Sequence, residues 1–198
     1  MNRKPALGMA MLLFLAGCAV PGSPVAMDEA AANAAARAQV SARPSEIRLD
    51  GFAGEQVCSL LTAAQQKDLG VDYVMPAEAG DRFDNRGCRF SRSLEKPRYA
   101  YRVTPVTQEG ADVWLRPGET NLEVQVVRVA GFPAVQNRRR TDDRGCFVDV
   151  SVADGQRLGI QYSYDTHPVP LTAAELCGRA MAMAELAIRN LVELRGRR

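Results

Sequence analysis

Four cysteines spread along the chain, Cys58, Cys88, Cys146 and Cys177, constrain its fold more than any other feature. In an exported protein an even number of cysteines reads as a disulfide framework. Zinc ligation commonly uses close cysteine pairs, and no C-x-x-C spacing occurs here, so no metal site is expected. Four cysteines allow three connectivities. Cys88 and Cys146 each follow Arg-Gly at the start of an alternating stretch, whereas Cys58 and Cys177 lie in helical stretches. Matching strand with strand and helix with helix predicts Cys88–Cys146 and Cys58–Cys177. The second pair closes a loop of about 120 residues, worth roughly 4–5 kcal/mol on the chain-entropy account.

The export signal is carried by a fifth cysteine. Arg3 and Lys4 precede an apolar run over residues 6–16 that is too short to remain as a membrane span. Leu15-Ala16-Gly17-Cys18 then places small residues directly before a thiol. This pattern resembles the bacterial lipobox, in which the cysteine is acylated and the chain is cut before it. It implies a signal peptide over 1–17, lipidation of Cys18, and attachment to the outer side of a cell membrane. The mature chain of about 180 residues suits one domain. With 25 Lys and Arg against 23 Asp and Glu, the net charge of +2 lacks the basic excess of a nucleic-acid binder.

Residues 18–47 are rich in Ala, Pro and Ser and poor in large apolar side chains, which predicts a flexible tether. The Ala-rich part, 29–39, reads as a transient helix at most. The domain is expected over 48–198. "EQVCSLLTAAQQKDLG" reads as two short helical pieces, with a capping box from Thr62 to Gln65 and a stop at Gly70. Alternation then predicts strands in "RGCRFSR", "RYAYRVTPV", "NLEVQVVRVAG", "FPAVQNRRR", "CFVDVSV" and "QRLGIQYSYD", with Asp154-Gly155 as a hairpin turn. In the third, the parity change between Val126 and Val127 signals a bulge or a strand covered on both faces. A second capping box, Thr172 to Glu175, opens a long helix with Leu176, Ala180, Ala184, Ala187, Ile188 and Leu191 on one stripe. The expected class is α+β: five or six antiparallel strands, with an N-terminal and a long C-terminal helix on one face.

Several motifs recur together: Cys58 to Thr62, Gly87-Cys88-Arg89-Phe90, Cys146 to Gly155, and Cys177 to Ala180. With the lipobox, the chain resembles the actinobacterial lipoproteins of the domain of unknown function 3558 (DUF3558) family over roughly residues 50 to 195. It departs from that family's pattern at Gln56 and Val57, where Asp-Pro is usual, and at Phe90, where Trp is common. The resemblance implies an exported cell-surface lipoprotein without an assigned activity.

No catalytic constellation and no cofactor motif is present. His167, the single histidine, lies in a loop with Asp165 near it but no nucleophile elbow, and Asp149, Asp154 and Glu123 are scattered. Arg138, Arg139 and Arg140 precede Asp142 and Asp143, which reads as a self-neutralised turn or, functionally, as an anion contact. Tyr99, Tyr101, Tyr162 and Tyr164 place rings on two strands, either as core packing or as the lining of a ligand groove. The expectation is a non-catalytic module that binds a small ligand or an envelope protein, held to the membrane through Cys18. The alternatives are an envelope-acting hydrolase and an accessory subunit of a membrane complex.

Overall fold

A computed structural model describes residues 29–77, 83–116 and 121–195. Seven strands form one antiparallel sheet: β1 (Tyr73–Ala77), β2 (Gly87–Arg92), β3 (Tyr99–Val106), β4 (Leu122–Val129), β5 (Phe132–Arg139), β6 (Gly145–Ala153) and β7 (Gln156–Tyr164). The order is β1-β2-β3-β7-β6-β5-β4. The α+β class therefore holds, with more strands than the five or six expected. The additional strand is β1, whose Pro76 and half-exposed side chains hide the alternation; an edge strand tolerates both. The order has a consequence for the surface. After β3 the chain crosses to the far edge as β4 and returns strand by strand until β7 meets β3. The crossing carries a 3₁₀ turn, Ala111–Leu115, that packs over β5 and β6.

One face of the sheet is apolar. Cys88, Phe90, Tyr101, Val103, Ile160, Leu158, Val148, Val150 and Val129 all bury on it. Helix α2 (Glu55–Cys58) covers the β1–β3 end, α3 (Ala63–Asp68) follows it in the chain, and α4 (Ala173–Arg195) lies over β6 and β7. Every member of the expected α4 stripe is buried, joined by Cys177 and Met183. The alanines in that stripe let the helix lie close to the strands. Both capping boxes form: Gln65 N–H donates to Thr62 Oγ1 at 3.2 Å, and Glu175 N–H to Thr172 Oγ1 at 3.3 Å. In β4 the register with β5 is unbroken, so the parity change is not a bulge. Val127 and Val129 face the α4 side while Val126 packs on the other.

The predicted disulfides are corrected. The bonds are Cys58–Cys88 and Cys146–Cys177, with Cα–Cα separations of 5.1 and 5.0 Å. Cys88 and Cys146 lie on β2 and β6, with β3 and β7 between them. At about 4.8 Å per strand their backbones stand roughly 14 Å apart, well beyond disulfide reach. Each bond instead fastens a helix to the strand beneath it.

The expected tether is also corrected over residues 29–47. Helix α1 (Glu29–Ser41) packs against the 3₁₀ turn and β5 on the second face, where Val40 buries with Ala111 and Val135. The chain continues along the sheet, with Ile47 N–H donating to the Val152 carbonyl at 2.7 Å. Few apolar side chains are needed because alanines allow close approach. Cys18 and residues 1–28 lie outside the described residues.

Removing the Cys146–Cys177 bond in a double serine variant should cost roughly 3.5–4 kcal/mol, from a loop with sequence separation 31. Urea unfolding of oxidised protein would measure this. A loss below about 1 kcal/mol, or a peptide linking Cys58 to Cys177 in a non-reducing digest, would contradict the pairing.

Candidate binding site on the second face of the sheet

The four tyrosines all lie in the core. Tyr99 pairs with Tyr164 and Tyr101 with Tyr162 across β3 and β7, and all four are buried. Ring centroids of Tyr101 and Tyr162 stand 5.0 Å apart. Burial pushes Tyr101 up to about 12 and raises Tyr162 as well, against the influence of Arg179. The Arg179 guanidinium lies 5.9 Å from the ring centroids of both Tyr99 and Tyr162. Only Tyr99 and Tyr101 reach a groove, a shallow one of about 510 Å³ between α3 and α4. Tyr99 Oη is committed there, donating to the Leu69 carbonyl at 2.8 Å. The tyrosine set is therefore first a packing device for α4.

The opposite face is polar, and cross-strand register lays it out in rows. Arg102, Gln161, Phe147 and Asn137 form one row across β3, β7, β6 and β5; Thr104, Gly159, Asp149 and Val135 form the next. Helix α1 and the 3₁₀ turn cover the β4–β5 half. Over β3, β7 and β6 a basin of about 290 Å³ stays open, lined by Arg102, Thr104, Trp114, Arg139, Phe147 and Asp149 among others. Trp114 comes from the 3₁₀ turn, so the β3-to-β4 crossing supplies one wall.

A buried ion network forms the floor. Arg157 Nε donates to Asp149 Oδ1 at 2.8 Å and Arg157 Nη2 lies 2.9 Å from Glu109 Oε1. Arg157 Nη1 also donates to the backbone carbonyls of Glu109 and Gly110 at 3.2 and 3.4 Å. Asn137 Nδ2 donates to the second Asp149 oxygen at 3.2 Å. Gly159 makes room for this carboxylate: a Cβ there would stand 3.1 Å from Asp149 Oδ1. Burial dominates Asp149 and pushes its carboxyl up to about 6, while Arg157, Asn137 and the nearby Trp114 indole favour the charged form. The indole N–H itself is buried without a formed hydrogen bond. Arg157 lies under the Trp114 ring, 5.6 Å from its centroid.

The arginine triplet divides by strand parity. Arg138 and Arg140 face Glu123, at 2.7 and 3.7 Å, which is the self-neutralised arrangement. Arg139 belongs to the opposite face and lines the basin. Neither the Arg139 nor the Arg102 side chain forms an ion pair or hydrogen bond among the described residues. His167 is exposed, and Asp154 lies at the β6–β7 turn away from the basin. Among the described residues no group of three or more His, Cys, Asp or Glu could hold a metal. No described helix is long and apolar enough to cross a membrane.

Sequence reasoning missed Asp149, Arg157, Trp114 and Arg102 as a set. Two signals were available. Polar residues alternate with the core set through β3, β6 and β7, and Gly159 interrupts a strand, which marks a close approach.

Fold and basin together define a disulfide-fastened, seven-stranded α+β domain with an ion-paired pocket on the sheet face opposite its long helix. Its family follows from residues 13–190, which match the profile described as "Protein of unknown function (DUF3558)"; the chain belongs to that family. No curated protein and no solved structure matches it.

The raised Asp149 carboxyl gives a pH signature. A folded-state value above the ordinary 3.8 means the native protein holds this proton more tightly than the unfolded chain. The resulting stabilisation is complete below about pH 4 and is lost as pH rises through about 6. Asp149→Asn cannot titrate. The stability of the wild type relative to this variant should therefore fall by up to about 3 kcal/mol between pH 4 and 7. Parallel pH profiles in denaturant unfolding would contradict the assignment.

Proposed function

We propose that this chain is a membrane-anchored extracytoplasmic lipoprotein, held through lipid on Cys18, that serves the cell envelope as a non-catalytic binding module. The anchor rests on the Leu15–Cys18 lipobox. The observation that carries the binding role is the basin: a concave, mixed polar and apolar surface on a rigid sheet, with convergent side chains from β3, β5, β6 and the 3₁₀ turn. Segment 18–28 then joins the lipid to α1 in the chain.

A hydrolase is the competing reading, because a buried acid with a raised pKa beside a pocket is a common mark of catalysis. At Asp149 the two oxygens are held by Arg157 and Asn137, which leaves neither poised to exchange a proton with a substrate. Thr104 is the only hydroxyl side chain among the basin's lining residues, and the carboxylate nearest along its row, Asp149 across Gly159, is already bonded to Arg157 and Asn137. Binding is the better account.

Cys18→Ala should move the protein out of the membrane fraction and abolish metabolic lipid labelling; retention with unchanged labelling would contradict the anchor. Native mass spectrometry of the protein extracted from its own envelope should find a retained small molecule that Trp114→Ala loses. A mass equal to the bare lipidated chain in both forms would contradict the binding role.

A further inference from the structure

We infer that the basin binds a small molecule bearing one anionic group, a carboxylate or a phosphate, on an apolar body, with the anion between Arg102 and Arg139 and the body against Trp114 and Phe147. The inference rests on the binding reading above and narrows it to a ligand class. It starts from charge. Three guanidiniums border the basin, Arg102, Arg139 and Arg157, against the carboxylates of Glu109 and Asp149. With both carboxylates ionised one positive charge remains, and it is not on Arg157, whose donors are already directed at Asp149, Glu109 and two backbone carbonyls.

Arg102 and Arg139 are the cations left to a ligand. They enter from opposite sides: Arg102 from β3 and Arg139 from the end of β5, with β7 and β6 between them. Arg139 also stands two residues along β5 from Asn137, which shares the Arg102 row, so three strand spacings and that offset put the backbones roughly 16 Å apart, a gap two extended arginine side chains can close around a single anion. Guanidinium presents a planar fork that matches carboxylate and phosphate oxygens, so each arm can donate in pairs. Some surface arginines are partnered, as Arg92 is with Glu95 and Arg189 with Glu185. Arg102 and Arg139, neither with a side-chain partner, instead meet at one concave surface.

Size and lining set the rest of the ligand. About 290 Å³ lies at the low end for small-molecule pockets, enough for one ring or a short chain. Trp114 and Phe147 are each half-buried, so they offer ring faces rather than core packing, and Val106 adds an apolar edge. Gln161, on β7, supplies a neutral hydrogen-bonding group between the two arginines, and Thr104 another beside Arg102 on β3. Asp149 lies beneath, drawn over Gly159 by Arg157, and repels a ligand that carries a second negative charge deeper in the basin.

Trp114 is the single tryptophan of the chain, so its fluorescence reports on the basin alone. The detergent-solubilised full chain would be titrated with phenylacetate, phenyl phosphate and neutral phenylacetamide. At least one of the two anions should change Trp114 emission saturably, and the amide should bind about tenfold or more weakly. Whichever anion binds more tightly tells a carboxylate ligand from a phosphate one. Arg102→Gln and Arg139→Gln should each weaken that anion about tenfold or more, with unfolding midpoints near wild type because neither side chain is partnered. The lysine variants, which keep the charge but lose the fork, should fall between. Equal binding of amide and anions, or undiminished anion binding by the Arg102→Gln/Arg139→Gln protein, overturns the ligand class and leaves the binding reading standing. If no probe alters Trp114 and the envelope-extracted protein also carries no molecule, both fall together.

Discussion

Arg157 is the residue through which the open face of this domain is organised. A guanidinium buried in a sheet is costly unless its donors are met, and here two carboxylates and two backbone carbonyls meet them. Asp149 belongs to the neighbouring strand, whereas Glu109 and Gly110 belong to the crossing segment that leaves β3. The ion network thus ties that segment to the sheet just before the 3₁₀ turn that carries Trp114. Replacing one partner strands a buried charge, so the network acts as a unit. Gly159 is part of it by absence, since a side chain at that point would press on the Asp149 carboxylate.

The other face is organised by burial. Helix α4 lays small residues against β6 and β7, and the tyrosines of β3 and β7 fill the space toward α3. Two disulfides fasten helix to strand at separate points of this layer, Cys58 to Cys88 at one end and Cys146 to Cys177 over β6. The division of labour is clear: one face supplies stability, and the opposite face, half covered by α1, is left to present polar groups from a rigid support.

Much of this was legible in the sequence, and the failures have physical causes. Strand alternation found Cys146, Val148, Val150 and Val152 on one face and the partner set Leu158, Ile160, Tyr162 and Tyr164 on the next strand, because period-2 burial is local. Capping at Thr62 and Thr172 was equally local. Disulfide pairing failed because it depends on which strands are neighbours, and two strands intervene between Cys88 and Cys146. Docking of α1 was hidden by alanine-rich composition, which predicts disorder although Val40 finds a buried place. The basin was the least legible part. Its ion network joins Glu109, Asp149 and Arg157 from three segments, and Arg139 differs from Arg138 and Arg140 only in the face it occupies.

The central claim is that the Arg157 network holds the Trp114 wall, and so preforms the basin, without supporting the helical layer. Acrylamide quenching of Trp114 together with amide hydrogen exchange, on wild type and on Arg157→Met, tests it directly. The account predicts that in the variant Trp114 becomes several-fold more accessible to quencher and the amides of 107–115 lose protection, while those of α4 keep theirs. Unchanged quenching, or loss of protection spread equally through α4, would contradict it.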